Sequence, residues 1–533
     1  MSNSSTDKKK VIIISVPYCD PYPMVAPVLL SGCLCEAGIP AKAIDFNLKF
    51  IKKFSEHEEF FKLKSFLTMG RHVTPSFTKT LYKDIIKFII KFLKKVKRDY
   101  DPEYIGLSVF TSESLDFSLI LSYLIRKYLP KTKIVAGGKG LEVYTANSSN
   151  FHYETWIKHN IADLIIVGDA ETSLISALKN NRTGIYFSEQ QTKEDLDNIP
   201  LPNWKDYNIS EYENISNRLN ELSDGEILNM GNDGEHNLNV PYLTITSSKG
   251  CVRKCSFCDV ASFWPKYLYR DPVKVAEEII HNYKNTGIQK YMFTDNLING
   301  SVSNFRKMNE VLAQEIPRKI SYEGYAIFRS AHAMPEKDFE LASLAGNTYW
   351  SVGVESGSEK IREAMKKKFS DDDLEWSVKM LCKYNIKQNW LLMVGYPLET
   401  EEDFDQTKEM IRKFSYLVKG KNIRVQVTPP FMVLRNSPLM TNPFMARTHG
   451  LEHLLDEENN INVNNFWVST ANPHNTYPER SRRWRELVKT IKDNGYHYGP
   501  GMPLKKWAAE INSLDKLYKE KYDKTTINIH RSS

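Results

Sequence analysis

The chain has 533 residues, of which 41% are hydrophobic and 26% charged, with a formal net charge of +7. That length exceeds what one core can serve and predicts two or three domains of ordinary soluble composition. The longest apolar runs fall far short of the roughly 20 residues of a spanning helix. The polar start "MSNSSTDKKK" has no apolar leader core, so a cytoplasmic protein without a membrane partner is expected, and the mild charge does not call for nucleic acid.

Residues 1–190 alternate strand and helix signals. "KVIIISV" reads as a buried strand, followed by a helix from Val25 to Ala37 that ends at Gly38, and "AKAIDF" as a second strand. A Lys- and Phe-rich, mostly helical insertion occupies about 47–98. Its end, "LYKDIIKFIIKFLKKVKRDY", places apolar residues at helical spacing with lysines between them, which predicts a solvated amphipathic helix. Strands resume at "YIGLSVF", "KIVAGG" and "ADLIIVG". This alternation predicts an α/β, Rossmann-like (flavodoxin-like) parallel sheet that binds ligands beyond the carboxyl ends of its strands.

Residues 191–240 are polar and weakly periodic and read as a linker. From 241 to 444 the alternation returns in "YLTIT", "KYMFTDN", "ISYEGYAIF", "TYWSVGVES", "NWLLMVGYP" and "RVQVTPPFMVL". Six βα units are too few for an eight-fold barrel and predict a partial (β/α)6 barrel. Residues 445–533 are polar, aromatic-rich and mostly helical, with no strand series.

Three of the seven cysteines, Cys251, Cys255 and Cys258, lie in "TITSSKGCVRKCSFCDVASF", between a strand and a helix. An odd cysteine count with this clustering points to metal or redox chemistry rather than disulfides. A closed zinc site needs a fourth ligand, and the nearest candidate, His281, lies mid-helix. An iron–sulfur cluster with three protein thiolates leaves one iron open to a substrate. Cys19, Cys33, Cys35 and Cys382 read as small core residues.

The CxxxCxxC spacing, with Phe257 before the third cysteine, resembles the radical SAM superfamily. In that family the cysteines hold a 4Fe–4S cluster whose fourth iron is chelated by S-adenosylmethionine. The resemblance extends over about 240–440. "FTDNLIN" gives Asp295 and Asn296 for the methionine amine, although the family usually has Gly-Gly-Glu there. "SVGVESGSEKIREAMKK" gives Glu355 as a ligand-contacting carboxylate. "LMVGYPLETEEDF" gives backbone around Gly395, Tyr396 and Pro397 facing the adenosine, and Arg329 is a candidate for the methionine carboxylate.

The first domain resembles the cobalamin-binding domains that precede many radical SAM barrels. The matching elements are Ser108 and Phe110 in "LSVF", Gly137 and Gly138 in "VAGGK", and the turn at Gly168 in "IVGDAETSL". No histidine stands two residues after Asp20, so the usual lower cobalt ligand is missing. The resemblance implies an enzyme that cleaves S-adenosylmethionine reductively to a 5′-deoxyadenosyl radical and, with cobalamin, methylates an unactivated position. It would need an external electron donor such as flavodoxin or ferredoxin, and its substrate would be a small molecule or peptide. The alternatives are a radical SAM enzyme without functional cobalamin, performing cyclisation or rearrangement, and a metal-stabilised RNA-binding module.

Overall fold

The computed structural model describes residues 10–18, 22–55, 79–110, 112–138, 140–141, 153–212, 242–420, 422–455, 465–498 and 504–529. Cys19 and Asp20, residues 56–78 of the Lys-rich insertion and 213–240 of the expected linker lie outside them. The chain divides into two compact units. One is Met1–Ser223 with Leu238–Thr244, and the other is Asp224–Asn237 with Ile245–Ser533.

The first unit holds a six-stranded sheet in the order β2-β1-β3-β4-β5-β6. Its strands are β1 (Val11–Ser15), β2 (Ala41–Asp45), β3 (Tyr104–Ser108), β4 (Lys133–Gly137), β5 (Leu164–Val167) and β6 (Gly184–Phe187). Each strand pairs in parallel with its neighbours. Every residue of β1 is buried, as both-face coverage by helices requires. Helix Lys79–Tyr100 turns Leu81, Ile85, Ile89, Phe92, Leu93 and Val96 inward and leaves Lys83, Lys87, Lys91, Lys94, Lys95 and Lys97 exposed, so it is the amphipathic helix expected.

Two parts of this unit differ from expectation. β6 is an added strand, because the four residues "GIYF" are too short to register as a periodic run. Residues 191–212 are folded onto the first sheet rather than forming a linker. The amide of Asn203 donates to the Val28 carbonyl (3.0 Å). The Asp206 carboxylate accepts from the Ala43 amide (2.7 Å), and Leu196, Trp204, Tyr207 and Tyr212 are buried.

The second sheet is open, in the order β15-β14-β13-β12-β11-β10-β7. The strands are β7 (Tyr242–Ile245), β10 (Lys290–Phe293), β11 (Ser321–Ala326), β12 (Asn347–Glu355), β13 (Lys387–Leu392), β14 (Ile423–Val427) and β15 (His497–Tyr498). Successive pairs from β10 to β15 are parallel. Six strands form the expected partial barrel. The seventh, β15, comes from the C-terminal region, where only two residues pair, too few for a sequence signal. A two-stranded antiparallel ribbon, β8 (Ser248–Lys249) with β9 (Leu268–Tyr269), brackets the three cysteines. The helices that return the chain are capped by their own sequence. Asp271 caps the helix Pro272–Thr286, and Ser370 and Thr400 form capping boxes with Asp373 and Asp403.

Candidate functional site

The cysteine loop leaves β7 at the carboxyl end of the sheet and is pinned by backbone at both ends. The amide of Thr294 donates to the carbonyl of Ile245 (2.8 Å), joining β10 to the start of the loop. Within the loop, the Ser256 amide donates to the Met365 carbonyl (3.0 Å) and the Ser256 carbonyl accepts from the Leu439 amide (2.9 Å). The three segments around Ser256, Met365 and Leu439 therefore lie side by side. The Ser256 hydroxyl is 2.7 Å from the Tyr396 hydroxyl, which is in turn 2.8 Å from Nε2 of His449.

Cys255 is buried, and Cys251 and Cys258 are half-buried. Burial raises all three thiols, Cys255 to about 11; Cys255 also feels both other thiols, and Cys258 feels Cys251. Left as protein alone, this would be a poor thiolate site, and only a bound metal centre makes the anions favourable. The surroundings fit such a centre. Lys367, Arg253 and Arg329 all lower the pKa of Cys251. Nε of Arg253 and Nε of Arg329 are buried without a hydrogen-bond partner among the described residues. Buried guanidinium N–H groups that interact electrostatically with the thiols are the complement of an anionic ligand.

Among the described residues no group of three or more His, Cys, Asp or Glu is gathered closely enough to hold a single metal ion. His281 is exposed on its helix. The absence of such a group holds for Cys251, Cys255 and Cys258 as for any set that includes a histidine.

Glu355 ends β12 in the left-handed region (φ 68°) at a register shift against β13. Its carboxylate accepts from Nζ of Lys367 at 2.9 Å, with both side chains 11% exposed. Burial opposes the charge on Lys367, but Glu355 and the thiols of Cys255 and Cys258 outweigh it, and its pKa lies above the usual lysine value. The same ammonium stands 5.9 Å over the ring of Phe257. Sequence reasoning missed Lys367, the middle of three consecutive lysines that look like a solvated run.

The other expected residues separate into two groups. Arg329 reaches the cysteines, with Nη2 held by the carbonyls of Asn299 and Gly300 (2.8 Å each). Asp295 is turned toward the loop that precedes the cysteines. Its carboxylate accepts from the amide (2.9 Å) and hydroxyl (2.6 Å) of Ser247 and from the Ser248 hydroxyl, which leaves it 2% exposed. Asn296 donates to the Gly250 carbonyl at 3.1 Å. These two side chains hold the loop in shape.

Gly395, Tyr396 and Pro397 follow β13 and are buried. The Tyr396 side chain points inward to Ser256, while the backbone is clamped by the C-terminal region. Nδ2 of Asn475 donates to the carbonyls of Gly395 (3.2 Å) and Tyr396 (2.7 Å). The Gly395 amide donates to Glu399 (2.7 Å), and Glu399 pairs with Arg483 at 3.2 Å. Gly395 has φ 85°, and a Cβ there would lie 2.2 Å from Cδ of Arg480. Arg480 is fully buried, stacked 3.8 Å over Trp467. Ser256, His449, Asn475, Arg480 and Arg483 gave no sequence signal, because their importance comes from contacts between residues far apart in the chain.

In the first unit, Ser108, Gly137 and Gly168 stand at or just past the ends of three adjacent strands, β3, β4 and β5. Ser108 and Gly137 are half-buried, while Phe110, Gly138 and Gly168 are exposed. Gly138 has φ 118°, and a Cβ there would fall 2.3 Å from the Val109 carbonyl oxygen. The absence of a side chain at Gly138 is thus required by the protein's own backbone at Val109, and the three strand ends lie on the side of the sheet where α/β folds take ligands.

Residues 245–411 match the Radical SAM superfamily, so the chain carries a radical SAM domain. Over 354 residues it is 21% identical to the cytidylyl-2-hydroxyethylphosphonate methyltransferase of Streptomyces wedmorensis, covering 60% of this chain and 63% of that one. The chain spans about three fifths of the length of the curated relatives it matches. Its fold is similar to that of the radical S-adenosylmethionine methyltransferase TsrM from Kitasatospora setae, solved with cobalamin and a 4Fe–4S cluster bound. The TM-score is 0.54 at 14% identity, over 83% of this chain and 79% of that one. It is also similar to the cobalamin-dependent S-adenosylmethionine radical enzyme OxsB, solved with aqua-cobalamin and S-adenosylmethionine bound. There the TM-score is 0.52 at 14% identity, over 93% of this chain and 63% of that one.

Proposed function

We propose that this chain, a radical SAM enzyme by its domain, binds a 4Fe–4S cluster through Cys251, Cys255 and Cys258 and cleaves S-adenosylmethionine reductively. The observation that carries this reading is that one buried and two half-buried thiols share their surroundings with three cations, two of which keep a buried N–H without a partner among the described residues. When bound, the cluster and S-adenosylmethionine supply a 5′-deoxyadenosyl radical, and cobalamin supplies a methyl group. The chain's own residues do the binding. Arg329 and Arg253 neutralise a carboxylate beside Cys251, the Lys367–Glu355 pair sets the charge beside Cys255 and Cys258, and the backbone at Gly395–Tyr396, held rigid by Asn475 and Glu399, shapes the wall against an adenosine. Ser108, Phe110, Gly137, Gly138 and Gly168 would bear the cobalamin. Likeness to methyltransferases favours methylation of an unactivated position on a small molecule or peptide, with flavodoxin or ferredoxin as electron donor. Among the described residues no helix is long and apolar enough to cross a membrane.

A second reading, radical SAM chemistry without functional cobalamin, is favoured by one observation: Tyr22 stands where a cobalt-ligating histidine would follow Asp20. The test is an anaerobic assay of the reconstituted protein for 5′-deoxyadenosine, with and without added cobalamin, and with Cys255→Ala. Cleavage lost in the variant supports the function. Background cleavage in a fully loaded wild type overturns it, and cobalamin-independent product formation selects the second reading.

A further inference from the structure

Burial raises the three loop thiols, and Lys367 acts against it on each of Cys251, Cys255 and Cys258. Its neighbours in the chain, Lys366 (φ 60°) and Lys368 (φ 55°), lie in the left-handed region, which disfavours a lysine. Both are exposed, and the turn they make sends Lys367 inward to Glu355. An ammonium has three N–H donors. Among the described residues Nζ makes one hydrogen bond, to Oε1 of Glu355, and Oε2 of the same carboxylate makes none. The pair lies over Gly353, where a Cβ would fall 2.3 Å from Oε1 and 2.8 Å from Nζ, so the strand has no room for a side chain there. The other charges near the loop are Arg253 and Arg329 beside Cys251, Asp373 beside Arg253, and Asp259 beside Cys258. Neither Lys367 nor Glu355 has a second ion pair among the described residues.

Resting on the cluster assignment above, we propose that Lys367 is a positioning residue that ties reduction of the cluster to the seating of S-adenosylmethionine. While the site is free of ligand, the Glu355 carboxylate at 2.9 Å cancels the ammonium. A ligand whose amine or hydroxyls engage the unpaired Oε2 shares that carboxylate's charge. The ammonium, with two N–H groups to offer, then faces the thiolates less cancelled than before. Positive charge and hydrogen bonds beside the sulfurs stabilise an added electron and raise the reduction potential. Both side chains are 11% exposed, so salt and water screen this charge little. In the step so favoured, an external one-electron reductant is oxidised by one, and the centre held by the three cysteines is reduced by one.

The test is the midpoint potential of the full chain, reconstituted anaerobically and titrated with dithionite, with and without S-adenosylmethionine. Electron paramagnetic resonance counts the reduced fraction. In the wild type, S-adenosylmethionine should favour reduction about tenfold or more, which is about 59 mV for one electron. Lys367→Met should lower the ligand-free potential and abolish the response to S-adenosylmethionine, and Lys367→Arg, which keeps the charge, should restore both. Glu355→Gln should raise the ligand-free potential toward the ligand-bound value of the wild type. Lys366→Asn removes an exposed charge next door, which solvent screens, and should leave the potential unchanged. Opposite ligand-free shifts in the two pair variants are a result that mere loss of structure does not give. Shifts in the same direction, or a full response to S-adenosylmethionine in Lys367→Met, overturn the proposal. Calorimetry of S-adenosylmethionine binding separates a lost response from lost affinity. Should Lys367→Met fail to take up a cluster, the ligand-free potential of Glu355→Gln decides, and a value at or below wild type overturns the proposal. A wild type that takes up no cluster strikes the functional reading, and this inference with it.

Discussion

Nζ of Lys367 lies 2.9 Å from Oε1 of Glu355, both side chains nearly withdrawn from solvent, beside Cys255 and Cys258. Breaking such a pair strands a charge. Lys367→Met should cost about 3 kcal/mol, read from denaturant unfolding, and the cluster should be lost faster in air. Lys367→Met/Glu355→Gln should be more stable than Lys367→Met alone, because the second change removes the orphaned carboxylate. A double variant no better than the single would show that the pair is not a unit.

The hydroxyl of Tyr396 joins the cysteine loop to His449. Nδ1 of His449 faces the Met445 carbonyl at 2.8 Å, which assigns the proton to Nδ1 and leaves Nε2 to accept from Tyr396. Tyr396→Phe keeps the ring against Phe431 and removes only the hydroxyl. A loss of about 1–2 kcal/mol follows from the partners left buried, together with an altered electron paramagnetic resonance signal of the reduced cluster. An unchanged signal would confine the hydroxyl to a stability role.

Burial raises Glu399 to about 7 despite Arg483 beside it. A carboxyl raised in the folded state binds its proton more tightly folded than unfolded, so its contribution is full below its usual value and falls as pH rises toward 7. Measured against Glu399→Gln, the wild type should therefore lose relative stability between about pH 4.5 and 7. A relative stability that rises with pH over this window would refute the assignment.

Asn475 ties the C-terminal region to the backbone at Gly395 and Tyr396. Asn475→Ala removes the donor to the buried Gly395 carbonyl, while the Tyr396 carbonyl keeps the Glu399 amide (2.8 Å), and should cost about 1–3 kcal/mol. If that backbone binds adenosine, KM for S-adenosylmethionine should rise more than kcat falls, which separates positioning from general loss of fold.

The three cysteines were legible because their spacing lies within one loop, and the strands of both sheets other than β6 and β15 because buried parallel strands are continuous apolar runs. Lys367 was hidden, since burial of the middle lysine depends on two left-handed residues that no pattern announces. Asp295 sits at the strand end the sequence indicated, but the serines of the neighbouring loop, 47 and 48 positions away, claim its carboxylate. Residues 191–212 looked like a linker because Leu196, Trp204, Tyr207 and Tyr212 have no regular period, yet each fills the first unit's core. Long-range pairing is the common reason.

The most direct test is electron paramagnetic resonance of the anaerobically reconstituted, reduced protein, before and after S-adenosylmethionine is added, with iron counted in the same sample. The account predicts about four irons per chain, a reduced-cluster signal that shifts when S-adenosylmethionine binds the open iron, and loss of both in Cys255→Ala. One tightly held zinc, or a cluster signal indifferent to S-adenosylmethionine, would contradict it.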